Sequence, residues 1–365
     1  MKLFTIAVFM LSVLQAMSQE KDFAVISFPK AFTVSGYLEF YAAVDDDDND
    51  KHQRPYFLYH NTRTGELALN LGFLKASWKT GNMRGNIALM KGTYPERNLA
   101  TESEIFRHVY EANVGIKVSK KRNLWLDLGI LNSHIGLESA IGKDNPTLTR
   151  SIAAENSPYY ETGAKLSYQN PNEKWTLAFL VLNGWQRIYK LDGNYLPAAG
   201  MQLNYKPSDK LQLNYSNYIG DESPEEDYAP RIFHDFFFVY APIKKLSLQG
   251  AFDLGTQPDV MDDDWPTQLW YGWFGIVKWN FTKKFSTALR VEQYNDPDEV
   301  MVRNAYGVGF VTMGYSVNFD YLIQDNALLR LEGRRFEGQT ETFETREGEL
   351  KTTYDGITAS LAVSF

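Results

Sequence analysis

The sequence predicts an all-β fold, a single transmembrane antiparallel up-and-down barrel of about sixteen strands, within a range of roughly 14 to 18. Three observations predict it. Apolar residues recur with a period of two nearly everywhere, which is strand periodicity. The connections between these runs alternate between short and long. Beyond the first residues, no segment approaches the roughly 20 consecutive apolar residues a membrane helix needs. Leu177–Leu182, for example, is far too short. A chain of this kind crosses a membrane only as a closed sheet, because lipid leaves no backbone group unpaired.

The period is clearest in three places. Tyr110, Ala112, Val114, Ile116 and Val118 share one face, opposite Glu111, Asn113, Gly115 and Lys117. Leu246, Leu248, Gly250, Phe252 and Leu254 oppose Ser247, Gln249, Ala251 and Asp253. Ile357, Ala359, Leu361, Val363 and Phe365 form a last apolar face. Extended over the chain, this reading places strands near 33–43, 66–78, 83–91, 106–118, 123–132, 160–169, 175–184, 198–206, 210–220, 230–241, 245–255, 267–279, 284–295, 306–323, 327–336 and 353–365. The segment 306–323 is long enough to project beyond the membrane. Seven short turns rich in Asn, Pro, Asp, Gly and Lys lie at one end, such as Asn170–Lys174 and Asn280–Lys283. Eight long polar loops lie at the other: 44–65, 92–105, 133–159, 185–197, 221–229, 256–266, 296–305 and 337–352. Fifteen connections close the count for sixteen strands.

The ends agree with export. Lys2 precedes an apolar run from Leu3 to Leu14, and Ala16 and Ser18 supply small residues at an A-x-A-like cleavage site. Residues 1–18 therefore read as a secretory signal peptide, 19–32 as a periplasmic segment and 33–365 as the barrel. The formal net charge of −8 argues against a nucleic-acid partner. The absence of cysteine excludes disulfides and thiolate metal sites. Aromatics make up 15% of the chain, and several flank the short turns: Trp78, Trp125, Tyr168, Trp175, Tyr205, Tyr240, Trp279, Phe285 and Tyr321. Their amphipathic rings favour the headgroup level, so they are expected to form a periplasmic girdle.

In a barrel, period two sorts residues to lipid or lumen. Arg84, Glu111, Lys117, Asp127, Glu161, Lys165, Asp253, Arg290, Glu292, Asp320, Arg330, Glu332 and Arg334 are the expected lumen lining. A Lys or Arg on the lipid face at mid-membrane costs about 2–4 kcal/mol, which forces Arg290 and Arg330 inward. The lumen then mixes both signs. That balance favours a hydrated pore over strong selectivity for one sign of charge.

The runs RPYFLYHNTRTGELALNL (Arg54–Leu71), EANVGIKVSKKRNLWLDLGI (Glu111–Ile130), IGLESAIGKDNPTLTRSIAAENSPYYETGAKLSY (Ile135–Tyr168) and LNGWQRI (Leu182–Ile188) resemble the OmpL-like β-barrel porins of Gram-negative bacteria. The resemblance spans loops as well as strands. It implies a porin-like barrel in the outer membrane and no particular substrate. The C-terminal Phe365, after an alternating strand, resembles the signal read by the outer-membrane assembly machinery.

The expected function is passive diffusion of small hydrophilic solutes through a charged, water-filled lumen, since about sixteen strands leave an aqueous channel. Loop 133–159 is the longest. It is expected to fold inward as a constriction, with Glu138, Lys143, Asp144, Arg150 and Glu155 as its charged candidates. The alternative is a non-conducting barrel that displays its loops for surface binding or adhesion, or serves as a structural component of a complex. Membrane lipid, the assembly machinery and the solutes are the expected partners, with a homo-oligomer open. The run Asp45–Asp48 with Asp50 lacks the spacing of a calcium loop and reads as a solvated, repelling surface. The five histidines His52, His60, His108, His134 and His234 show no metal spacing. Ser133, His134 and Asp144 share a loop, but no G-x-S-x-G elbow accompanies them. No cofactor, metal or enzymatic role is expected.

Overall fold

The computed structural model describes residues 31–46, 52–194, 196–222, 228–259, 264, 266–304, 306–345 and 348–365. The expected signal peptide, the segment 19–30 and Asp47, Asp48 and Asp50 of the acidic run lie outside these residues. Sixteen strands form one closed antiparallel barrel. They are β1 (Phe32–Asp45), β2 (Leu67–Thr80), β3 (Met83–Lys91), β4 (Val109–Lys117), β5 (Asn123–Asn132), β6 (Tyr160–Gln169), β7 (Trp175–Leu182) and β8 (Ala198–Ser208). The other eight are β9 (Leu211–Asp221), β10 (Pro230–Ile243), β11 (Leu246–Pro258), β12 (Thr267–Asn280), β13 (Phe285–Asp296), β14 (Phe310–Gln324), β15 (Ala327–Gly338) and β18 (Thr353–Ser364). Two short strands, β16 (Phe343–Glu344) and β17 (Leu350–Lys351), make a separate hairpin within the last long connection. Each barrel strand pairs with its sequence neighbour, and β18 closes on β1 with Tyr37 opposite Ser364. Phe365 completes the seam: Gly36 N–H donates to its carbonyl (3.0 Å), and its own N–H donates to the Gly36 carbonyl (3.1 Å). Its ring covers Gly36 so closely that a Cβ there would collide with it.

The eight long connections lie at one end: L1 (46–66), L2 (92–108), L3 (133–159), L4 (183–197), L5 (222–229), L6 (259–266), L7 (297–309) and L8 (339–352). The period-two sorting of the strands is visible in their burial. On β13, Phe285, Leu289 and Val291 are exposed, while Ser286, Arg290 and Glu292 are buried. On β14, Tyr315, Val317, Phe319 and Tyr321 are exposed against buried Ser316, Asn318 and Asp320. Apolar residues cover the outside of a closed barrel, as a lipid-facing surface requires.

Some expectations need correction. The segment 306–323 does not begin as strand. Gly307 and Gly309 take φ of +62° and +75°, so β14 starts only at Phe310, and with 15 residues it is still the longest strand of the barrel. Residues 106–108 form a 3₁₀ turn before β4 rather than its first residues. Trp125 does not join the outward girdle. It is buried beneath the Arg84 guanidinium, 4.3 Å from its ring centroid, and its Nε1–H donates to Asn123. Trp125 therefore shares the inner face of Asp127, which Arg84 also grips (2.7 Å). Tyr110 leaves the outer face too: a register shift between Ala88 and Leu89 brings its ring onto Phe73 (4.9 Å), which packs against Tyr37 (5.8 Å). Among the others near the short turns, Trp175, Tyr240, Trp279, Phe285 and Tyr321 are exposed on the outside.

Candidate functional site: the inward loop and the lumen wall

L3 enters the barrel. Its backbone is held by side chains at mid-strand positions, which lie on the face opposite the exposed apolar residues. Leu148 N–H donates to Asn318 (3.0 Å) on β14, and Thr149 donates through its N–H (2.7 Å) and hydroxyl (2.8 Å) to Glu332 on β15. Ile152 N–H donates to Glu292 (2.6 Å) on β13. The wall arginines act in the reverse sense. Arg290 donates to the Thr147 hydroxyl (2.9 Å) and the Thr149 carbonyl (2.6 Å). Arg330 donates to the carbonyls of Gly142 (2.8 Å), Thr147 (3.0 Å) and Asn145 (3.1 Å). A loop taken out of water must find partners for its N–H and C=O groups, and the charged wall supplies them.

L3 also has an internal frame. Arg150 donates to three carbonyls of its own loop: Ser139 (2.9 Å), Leu148 (2.6 Å) and Ala140 (2.7 Å). Burial opposes its charge, but Glu39, two nearby tyrosines and Glu155 more than offset this and raise its pKa, so it stays a cation. Ser151 caps the short helix α1 (Ile152–Glu155), accepting from Ala154 N–H (3.1 Å), while Ser151 N–H donates to Glu138 (2.8 Å). Burial raises the Glu138 pKa.

Two histidines tie the loop at its flanks. His134 Nδ1 contacts Glu161 (2.8 Å) and Nε2 lies 2.8 Å from the Asn217 carbonyl. Burial lowers its pKa, but the Glu161 charge and hydrogen bonds raise it further, leaving it above the ordinary value. A ring with a carboxylate on one side and a carbonyl on the other suits imidazolium, which donates from both nitrogens. His60, in L1, is the opposite case: burial and Arg150 depress its pKa against the pull of Glu155. The Glu155 carboxylate accepts from Tyr59 N–H (2.9 Å) and His60 N–H (3.2 Å) and contacts His60 Nδ1 (3.0 Å), binding L1 to L3.

Apolar contacts fill the space between these ties. Phe57 of L1 packs on Phe310 (4.8 Å) and Phe336 (5.4 Å), in a cluster that includes Ile152, Trp270 and Tyr294. A second cluster joins Tyr94 and Leu99 of L2 to Ala140 of L3 and Tyr37, Leu71 and Met90 of the wall. Toward the external side, Tyr56, Arg97, Asn98, Ser157, Trp185 and Arg187 are among the residues around a cavity of about 440 Å³.

The candidate residues thus separate. Glu138, Arg150 and Glu155 are 6%, 0% and 2% exposed, so they lie inside packed loop structure and not on a wet rim. Lys143 and Asp144 are half-exposed and paired with each other (2.7 Å). Of the expected lining, Arg290, Glu292, Arg330, Glu332 and Arg334 form a buried cluster behind L3, where Arg334 donates to Glu292 (2.7 Å) and Arg290 to Glu332 (3.2 Å). Glu161 holds His134, and Asp253 sits directly opposite Asp235 across the β10–β11 pair. At mid-barrel Lys75 pairs with Glu111 (2.6 Å), and nearer the short turns Arg84 pairs with Asp127 (2.5 Å) and both Lys278 (2.7 Å) and Arg330 (2.7 Å) with Asp320. Lys117 and Lys165 are half-buried on the same face.

Sequence reasoning missed Glu39, which accepts from Asn70 (2.9 Å), and Arg54, which is buried against Asp45 (3.2 Å). It also missed L1 as a second inward segment. Glu39 and Asp45 do carry a signal, since both share the inner parity of β1 with Tyr37 and Tyr41. Asp45 and Asp46 are the described part of the acidic run, and each has a cation: Arg54 for the first and Lys351 (2.7 Å) for the second.

A closed sixteen-stranded barrel with apolar residues outside, polar residues inside and a long loop folded into the lumen defines the general porin architecture. The chain belongs to the family described as "Putative beta-barrel porin-2, OmpL-like", whose pattern matches residues 31–365. Its place is accordingly the outer membrane. No curated protein matches it. Among solved structures it is similar to OmpF of Salmonella typhi in complex with daunomycin, with a TM-score of 0.59, 10% identity and coverage of 92% of this chain and 97% of the other. The anion-selective porin from Comamonas acidovorans gives 0.58 at 9% identity, covering 92% and 99%. OmpT of Vibrio cholerae gives 0.57 at 8% identity, covering 93% and 100%. At such identities the likeness carries the fold alone.

Proposed function

We propose that the protein is a general diffusion pore, passing small hydrophilic solutes down their gradients through a lumen that L3 narrows. The observation that carries this reading is the pinning of L3 to the inner wall by Arg290, Arg330, Glu292 and Glu332. A loop anchored by so many buried charged groups keeps one shape and so imposes one size limit. The half-exposed Lys143–Asp144 pair is the part of L3 that meets solute, while Glu138, Arg150 and Glu155 hold the loop in shape. Nothing in this mechanism calls for a reaction step or a cofactor. Relatives of this architecture include a structure described as a trimer form of OmpT from Vibrio cholerae, and a homo-oligomer fits the proposal without being needed by it.

The test is swelling of liposomes that hold the purified protein, across a graded series of neutral sugars. The proposal expects rapid uptake of small sugars and a sharp fall at one size, and a shift of that limit to larger sugars when Lys143–Glu155 is deleted. An unchanged limit in a folded deletion variant would remove L3 as the constriction. A second reading is favoured by the two apolar clusters that join L1, L2 and L3 to the wall. In it the barrel is shut in this conformation and serves as a loop-displaying or structural component, and no sugar would enter.

A further inference from the structure

We propose that the lumen, on its periplasmic side, selects small anions, such as carboxylates, phosphates and halides. This deepens the diffusion reading and rests on it. Selectivity is set by the accessibility of charge and not by its total. From the middle of the lumen down to the short turns, the strand-borne carboxylates Glu111, Asp127 and Asp320 are 6%, 8% and 4% exposed. Each is covered by its cation: Lys75 at 25%, Arg84 at 35% and Lys278 at 22% exposure. Water and solute therefore meet the ammonium and guanidinium groups, with the acids beneath them. Two more cations on this wall, Lys117 and Lys165, have no carboxylate within ion-pair distance among the described residues. The Asp144 carboxylate of L3, which is accessible, is already paired with Lys143.

The short turns extend the same sign. Lys120, Lys121, Lys244, Lys245, Lys283 and Lys284 stand exposed around the rim. The external loops carry the reverse: L1 to L8 together hold 26 acidic and 12 basic residues. That acidic mouth does not cancel the lumen. Charges farther apart than about 10 Å are largely screened at 0.1 M salt, whereas a charge on the wall of a narrow passage acts on the ion beside it. The even mixture of signs in the sequence thus hides an uneven surface.

The experiment is the zero-current potential of the full-length protein in a planar bilayer across a tenfold potassium chloride gradient, repeated with Lys117→Gln, Lys165→Gln and the double variant. Removing these two lysines leaves no buried acid unpaired, unlike removal of Lys75 or Arg84. Expected is a potential of the sign for chloride preference, with the anion-to-cation permeability ratio falling roughly twofold per lysine at low salt. A conducting wild-type channel with no preference, or with preference for potassium, overturns the inference and leaves the diffusion reading intact. A folded, heat-modifiable barrel that never conducts overturns both. The wild-type potential decides on its own should a variant fail to fold.

Discussion

Replacement of Arg290 by methionine is expected to release L3 from the wall. Arg290 is fully buried. Its guanidinium donates to the Thr147 hydroxyl, to the carbonyl and hydroxyl of Thr149, and to Glu292 and Glu332. Three of these bonds cross from wall to loop. Hydrogen bonds to a charged group contribute about 1.5–3 kcal/mol each, and they do not add fully. The loss also leaves Glu292 and Glu332 with less compensation, and breaking a buried ion pair costs about 3–5 kcal/mol. Both routes put the cost near 3–5 kcal/mol, a rise of roughly 150- to 4,000-fold in the undocked population of L3. The barrel itself should remain, because its backbone ladder does not involve this side chain. The assay uses the absence of cysteine from the chain. A thiol introduced at Ala140, a buried position on L3, reports undocking by its rate of maleimide labelling. The Arg290→Met change should accelerate labelling at least about 100-fold, and Arg290→Lys by less, since it keeps the charge without the fork. Labelling within a factor of about three of the parent, in a folded variant, would refute the anchoring argument.

Further expectations use the same molecule. Gly129 has φ +128°, and a Cβ there would strike the Ala112 carbonyl, so Gly129→Ala should destabilise the β4–β5 pair by about 1–3 kcal/mol, read as a lower temperature for loss of heat-modifiable mobility. Gly36→Val should displace the Phe365 ring from the seam and lower the yield of assembled barrel, measured as the fraction of heat-modifiable protein. The raised pKa of His134 makes docking of L3 depend on its proton. The sign follows: that contribution is fully present below about pH 6.5 and is lost as pH rises through the raised value. Labelling of the Ala140 thiol, corrected for thiol ionisation, should therefore quicken on the alkaline side, and His134→Gln should remove that dependence.

Much of the barrel was legible in the sequence, because a strand with one face in lipid and one in polar surroundings has to alternate. β3, β5 and β6 fall at their expected residues, and the other thirteen differ by a few at their ends. The differences have local causes. Two left-handed glycines delay β14, and a bulge turns Tyr110 inward. The position of Trp125 was available from parity, since it lies two residues from Asp127, but turn proximity pointed to the girdle instead. The inward loops were far less legible. Loops have no period, so nothing local marks Phe57, His60 or Arg150 as buried. Glu138, Arg150 and Glu155 read as a charged rim because charge suggests exposure. In the structure each is matched by a partner far away along the chain or by carbonyls of its own loop. Pairing of that kind is a property of the closed fold.

Single-channel conductance in a planar bilayer tests the central claim most directly, comparing the full-length protein with a Lys143–Glu155 deletion of verified heat-modifiable mobility. The account predicts discrete conductance steps for the full-length barrel and larger steps once L3 is shortened. A correctly folded full-length barrel that stays silent in the bilayer would contradict it.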